Sequence, residues 1–482
     1  MPERSPDAPR PRDPQQIIDE HVREIDRLRE DLVRSENERH RLRRENERLR
    51  EELEMARRRA NRQAAPFSRG LPKAHPARPG RKAGVAYGRK AHRTRPSHID
   101  VRHDAPVPAQ CPDCGGPVRR QRVVTQYQED LPVQRPVVHA FRVAIGRCRH
   151  CHRRVQGRHP LQTSDALGAA AVQLGPQAVA LAVILNKQCG LSFGRLATLL
   201  RGRFGLTVTR GGLVHAVHRA ARQAQPTYDA LCAQVRASPA VTPDETGWKI
   251  GGHSYWLWAF ATPDTTTYAI EDGRGFAQAA RMLGADYAGV LQRDGWAPYR
   301  QFVHAGHQTC LAHLLRRCRT MRLDYPHHAF APHVDHLLRA ALMTRDRHRA
   351  GLISDQGLAV ARGAYVQRLG RLLARRPSRV ADVRRFANHL AAEYHAVFSF
   401  LFDPTLEATN WRAEHALRPA VVTRKMGGGG NRTRRGAQTQ QVLASLLRTA
   451  QQRGLDTTAA LTRLLQAPKP IVLDAFQATP LP

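Results

Sequence analysis

The sequence predicts a multidomain α/β protein: a mixed-sheet core carrying an α-helical insertion, preceded by a coiled coil, a zinc ribbon and a helix-turn-helix. Three observations lead there. A heptad pattern free of Pro and Gly runs through residues 17–60, two C-x-x-C pairs follow, and from residue 237 alternating apolar runs give way to helical periodicities. At 482 residues the chain has length for several cores.

Composition narrows the partners. Lys and Arg number 77 against 41 Asp and Glu, a formal charge of +36. Such self-repulsion fits a polyanion, whose neutralised phosphates release counterions, although an Arg-rich proteome raises the charge of ordinary enzymes too. No apolar run reaches the ~20 residues of a membrane span. The opening MPERSPDAPRPRDPQQ has no apolar signal core, so a cytoplasmic protein is expected. Eight cysteines, four of them in C-x-x-C pairs, indicate metal in a reducing compartment rather than a disulfide scaffold.

Residues 1–61 form the predicted coiled coil. The heptad register puts Ile18, Ile25, Leu32, Arg39, Asn46 and Leu53 at a, with His21, Leu28, Ser35, Leu42, Leu49 and Ala56 at d. Acidic g positions (Glu24, Asp31, Glu38, Glu45, Glu52) face mostly basic e positions (Arg29, Glu36, Arg43, Arg50, Arg57), and Asn at a favours two parallel strands. A homodimer, or a higher homo-oligomer, is therefore expected over a single solvated helix. Residues 62–106 read as a basic flexible linker: from Arg62 to Ile99 there is no acid, only Lys and Arg among Gly and Pro. Such a segment buries too little to fold alone and tracks phosphates without sequence preference.

The zinc ribbon is placed at 107–160, where Cys111 and Cys114 (CPDCGG) and Cys148 and Cys151 (CRHCHRR) flank a predicted hairpin. Four thiolates close a tetrahedral zinc site, which makes it structural. The helix-turn-helix is placed at 165–236. Gly205 suits the end of one helix and Thr207 or Thr209 the cap of the next, with Arg210 and His215 as groove or phosphate contacts.

The core is placed at 237–440. A hairpin (HSYWLWAFATPDTTTYAIED), a helix (RGFAQAARMLG), a strand and helix (AGVLQRDGWAPYRQF) and a further strand and helix (HQTCLAHLLRRCR) make the order of a ribonuclease-H-like sheet. In that fold the first and fourth strands are adjacent, so Asp244 in VTPDETGWKI and Asp294 in GVLQRDGWAPY converge. A helical insertion fills about 319–405 and separates them from Glu414 in TNWRAEHALRP. Carboxylates from two strand ends and a helix suit two hard divalent cations, Mg²⁺ or Mn²⁺, which support in-line attack on phosphodiesters. Singly, Asp294 reads as a turn residue, Asp244 as a bend cap, and Glu414 as a partner of Arg418. Glu245 is an alternative ligand; Asp272, Glu393 and Glu407 rank lower. Cys310 and His313 in CLAH could bind metal, with a packing or hydrogen-bonding role the better reading for only two nearby ligands. Four glycines (427–430) amid Arg424, Lys425, Arg432, Arg434 and Arg435 suit a DNA clamp, and 441–482 is a C-terminal helical tail.

The words DET, DGWAPY, N..AE.ALRP.VV.RK and RRGAQT…LASLLRTA resemble the large transposase of the insertion sequence 66 family. The resemblance covers nearly the whole chain, most specifically 241–300 and 409–454. It implies a bacterial DDE transposase that cleaves transposon-end DNA and joins it to target DNA, with Asp244, Asp294 and Glu414 as its catalytic, magnesium-holding trio. It also implies a zinc-finger-like module and small accessory transposition proteins as partners. Trp411 and His415 depart from the family wording. The alternative class is a non-catalytic DNA-binding regulator, or a decayed transposase, using only the ribbon and the helix-turn-helix.

Overall fold

The computed structural model describes residues 14–62, 95–131, 135–168, 173–375, 378–426 and 429–477. They divide into two units, 1–127 and 128–482, each taken by itself. Most of the linker and Gly427 and Gly428 fall outside the described residues, as do the side chains of Ile18, His21, Leu53 and Ala56.

In the first unit, helix α1 spans Pro14–Arg62. Its described ion pairs run along the helix, Arg34 to Asp31 and Arg48 to Glu52 among them. The seam side chains Ile25, Leu28, Leu32, Leu42 and Leu49 all stand exposed.

The second unit opens with a two-stranded antiparallel ribbon, β1 (Ile145–Arg147) and β2 (Arg154–Gln156). Among the described residues the hairpin expected between the cysteine pairs is not formed. Residues 118–131 carry no strand and are exposed throughout, because an alternating pattern makes a strand only where a surface covers its apolar side. Three helices follow: α2 (Pro176–Lys187), α3 (Phe193–Phe204) and α4 (Arg210–Ala237). Gly205 ends α3 in the left-handed region (φ 65°), and the Thr209 hydroxyl caps α4 by accepting from Gly212 N–H.

The central sheet contains β3 (Ala240–Ile250), β4 (His253–Ala261), β5 (Thr266–Glu271), β6 (Val290–Arg293) and β7 (Gly306–Thr309), with α5 (Phe276–Leu283) between β5 and β6. Its order is β5-β4-β3-β6-β7: the hairpin strands are antiparallel, and β3–β6 and β6–β7 are parallel. The first and fourth strands are thus neighbours, as expected. Between β7 and the next core helix lie α6 (Leu311–Asp324), α7 (Phe330–Arg349), α8 (Asp355–Leu373) and α9 (Ala381–Ala392). These helices bury an apolar cluster of their own that includes Leu337, Leu338, Leu369 and Phe386.

Helices α10 (Trp411–Met426), α11 (Arg434–Gln452) and α12 (Thr457–Gln466) complete the unit. α10 lays Ala416, Leu417 and Ala420 on one sheet face, against Trp248, Leu257 and Ala259. α11 closes the free edge of the sheet. Its Gln441, Ser445 and Thr449 side chains accept from the N–H groups of Ile270, Tyr268 and Thr266. Four residues of helix rise about 6 Å and two of strand about 6.6 Å, so the spacings match and the edge is left without open donors.

Candidate active site

Counting along the paired strands positions the two aspartates. Ala240 pairs with Val290 and Val241 with Leu291 in parallel register, and Asp244 and Asp294 each lie four residues beyond the first pair. The ladder stops there because Pro243 has no N–H to continue it. Strand alternation sends Asp244 to the side of Trp248 and Ile250, the face that α10 covers, and Glu414 sits in the first turn of that helix. Glu245, one residue on, turns to the opposite face.

The electrostatics agree with this placement. Burial pushes the Asp244 carboxyl up to about 7, with Glu245, Asp294 and Glu414 adding like-charge repulsion and the Glu245 N–H opposing it at 2.9 Å. Asp294 accepts the Trp296 N–H at 2.9 Å in an Asx turn. The glycine after it does more than turn the chain: a Cβ on Gly295 would come 2.3 Å from His389 Cε1 of α9. Glu414 is exposed, with His313 Nε2 at 3.8 Å from its Oε1.

Each rival acid has its own partner. Glu245 is buried, bound by Arg274 and by the Tyr299 hydroxyl at 2.6 Å, while Arg274 stacks on Trp296 and Trp256 at 4.1 and 5.0 Å. Glu393 is buried between Arg293, Arg300 and the Thr309 hydroxyl. Burial pushes its carboxyl up, but Arg293 and these donors hold it below the usual range. Asp272 meets Arg281 and Gln278, and Glu407 meets Arg412.

The trio suits hard cations by its donor set: Asp294 and Glu414 both repel the Asp244 carboxylate, and none of the three has an Arg or Lys ion pair among the described residues. Beside them both amide atoms of Asn410 are buried without a hydrogen-bond partner, as is His313 Nδ1. Orphaned polar atoms at one end of a carboxylate site fit a ligand or ordered water. Among the described residues no three His, Cys, Asp or Glu side chains are set to hold a metal ion as they stand.

The cysteine pairs lie one in each unit and repeat one geometry. Cys111 N–H donates to Gly116 O and Gly115 N–H to Cys111 O; Cys148 N–H donates to Arg153 O and His152 N–H to Cys148 O. Gly115 (φ 71°) and His152 (φ 55°) occupy the same left-handed position after the second cysteine. Backbone N–H groups of Cys114 and Asp113 lower the Cys111 thiol, and those of Cys151 and His150 lower Cys148. All four thiols are free.

Of the basic residues named from sequence, Arg210, His215, Lys425, Arg432, Arg434 and Arg435 are exposed, while Arg424 is half-buried over Trp248. The glycine loop is anchored: Asn431 N–H donates to Lys249 O at 2.9 Å, and its carbonyl accepts from Gly251 N–H. A Cβ on Gly430 would lie 2.2 Å from Lys249 O. Sequence reasoning missed Asn410 and the Arg293–Glu393 pair, whose members are a hundred residues apart and carry no local signal.

A mixed α/β core with acids gathered at the ends of parallel strands defines a class, and comparison with known proteins supplies the family. Residues 171–439, more than half of the chain, match the profile described as Transposase IS66 family, and the protein belongs to that family. Two similar proteins come from Sinorhizobium fredii (strain NBRC 101917 / NGR234). The uncharacterized protein y4jD is 28% identical over 408 residues, 77% of each chain. The uncharacterized protein y4qI is 28% identical over 247 residues, and the match spans 44% of each chain. Among the described residues no helix is long and apolar enough to cross a membrane.

Proposed function

We propose that the protein is a DDE transposase with a ribonuclease-H-like core, which cleaves transposon-end DNA and transfers the freed strand to target DNA. One observation carries the reading: Asp244 and Asp294 stand at equal count on paired parallel strands, with Glu414 on the helix that covers the same face. Asp244, Asp294 and Glu414 would hold two Mg²⁺ ions, or Mn²⁺. When bound, the cations supply charge stabilisation to both the attacking and the leaving oxygen of an in-line displacement. The chain's own part is positioning. β3 carries Asp244, β6 ends directly before Asp294, the Trp296 N–H orients the Asp294 carboxylate, and Glu245 with Arg274 and Tyr299 braces β3 from behind.

The remaining modules serve DNA and assembly in this reading. Cys111, Cys114, Cys148 and Cys151 would supply four thiolates to a structural Zn²⁺, and backbone N–H groups already lower the Cys111 and Cys148 thiols toward that state. The helices α3 and α4, joined by a short turn, are the helix-turn-helix, and α1 pairs with a second copy through its exposed seam.

The test is Mg²⁺-dependent nicking of element-end DNA by the wild type and by Asp294→Asn. Nicking by the wild type alone is expected. Equal nicking by both removes Asp294 from the site; DNA binding without nicking by either leaves a DNA-binding regulator.

A further inference from the structure

A second site lies apart from the carboxylates. A cavity of about 620 Å³ opens where the turn between α2 and α3 meets the last turn of α10 and the start of α11, and none of the catalytic trio lines it. The walls are closely fitted: a Cβ on Gly190 (φ 71°) would come 2.6 Å from Met426 Cε and 3.4 Å from Thr423 Cα.

Its charge is one-sided. Lys187, Arg210, Arg424 and Arg432 line the cavity, and no Asp or Glu does. Among the described residues none of the four has a carboxylate at ion-pair distance. Burial pulls the Lys187 ammonium down to about 8, although the residue keeps some surface. Arg210 and Arg432 stand exposed, but Lys187 and Arg424 are partly buried, and a desolvated cation without a counter-ion is costly unless an anion is received there.

Two further features indicate the same ligand. Thr423 Oγ1, on the wall, is buried with no hydrogen-bond partner. Three helices, α3, α4 and α11, begin at this wall, and their caps Ser192, Thr209 and Thr433 each occupy a single N–H. The other first-turn N–H groups and the positive ends of the helix dipoles favour an anion. His218 is already engaged, bonding Thr439 Oγ1 at 2.6 Å.

We propose that this cavity seats a backbone phosphate of a DNA strand, with Lys187, Arg424 and Thr423 as inner donors and Arg210 and Arg432 at its mouth. Exposed Arg434, Arg435 and Lys425 continue the basic track on which the neighbouring phosphates would lie. The assignment rests on DNA being the substrate and adds a specific anchoring point away from the reacting bond.

The test follows binding of a labelled DNA duplex by fluorescence anisotropy across a salt series. It compares the wild type with the double variant Lys187→Gln, Arg424→Gln and with Lys469→Gln, an exposed cation elsewhere. The double variant is expected to bind about tenfold more weakly near 0.1 M salt, its log–log salt slope shallower by about 0.9 for each phosphate left without its cation. Lys469→Gln should stay within about twofold. Inorganic pyrophosphate should raise the melting temperature of the wild type and not of the double variant. A double variant that folds normally and binds DNA with unchanged affinity and slope overturns the pocket while leaving DNA as substrate. Absence of DNA binding by the wild type removes the underlying reading instead. A free mononucleotide that fills the cavity without competing with DNA also overturns the assignment. Should the double variant fail to fold, Lys187→Gln alone decides, by the same slope.

Discussion

Asp244 and Glu245 are neighbours in the chain and face opposite sides of one strand, and the two sides differ in their cations. Behind the strand, Glu245 has Arg274 and the Tyr299 hydroxyl, and farther along the sheet Glu393 has Arg293 and Arg300. In front, beyond its own burial, Asp244 meets the repulsion of Glu245, Asp294 and Glu414, eased by the Glu245 N–H and by no cation among the described residues. The cavity by α10 is the mirror case, four cations and no acid. Where buried charge is paired, it holds the fold; where charge of one sign is gathered without partners, as around Asp244 and around Lys187, the proposed cations and phosphate would supply the opposite sign.

Substitutions that separate the two faces test this directly, and the largest effect is on chemistry. Asp244→Asn is expected to cut Mg²⁺-dependent nicking by about a thousandfold or more while circular dichroism and melting stay close to the wild type. A large loss of stability instead would place Asp244 among the structural acids. Glu393→Gln should do the reverse to the fold. Breaking a buried ion pair costs about 3–5 kcal/mol, read as a lower denaturant midpoint, and an unchanged midpoint would break the comparison.

Lys187→Met probes the cationic cavity by pH. The folded pKa, about 8, lies below the ordinary 10.5, so the fold carries the cost of the charged amine fully below pH 8 and loses it between 8 and 10.5. Near pH 7 the variant is therefore expected to be more stable than the wild type, by on the order of 1–3 kcal/mol, and the gap should close by pH 10.5. His218, Arg210, Arg424 and Arg432 face the same space, and the difference between the two proteins isolates Lys187. Chemical denaturation at a series of pH values measures it; a constant gap would show the amine to be solvated.

The smallest effect on the folded core is expected from α1. Leu28→Asp with Leu42→Asp should convert a dimer to a monomer in analytical ultracentrifugation, with little change in the melting of the 128–482 unit. A wild type that is itself monomeric at all concentrations would end the coiled-coil reading of the exposed seam.

Local signals suffice where a single element decides the outcome. Gly205 as a helix stop, Thr209 as a cap, the helix of RGFAQAARMLG and the strand before DGW all stand as the residues suggest, because turn chemistry and side-chain period act within a few residues. The alternation before Cys148 misleads, because a period of two describes a strand only if something buries its apolar side. The purpose of Gly295 is hidden for a related reason: its neighbour His389 arrives from α9, far along the chain.

By itself the sequence determined the heptads, the cysteine pairs, the basic charge and the three candidate acids in their order, since composition and spacing are properties of the chain. Only the tertiary structure decided which acids are partnered. Arginines reach Glu245 and Glu393 across 29 and 100 residues, and none reaches Asp244 among the described residues. That distinction depends on burial and through-space distance, which pairing strands and packing helices create and no local pattern encodes.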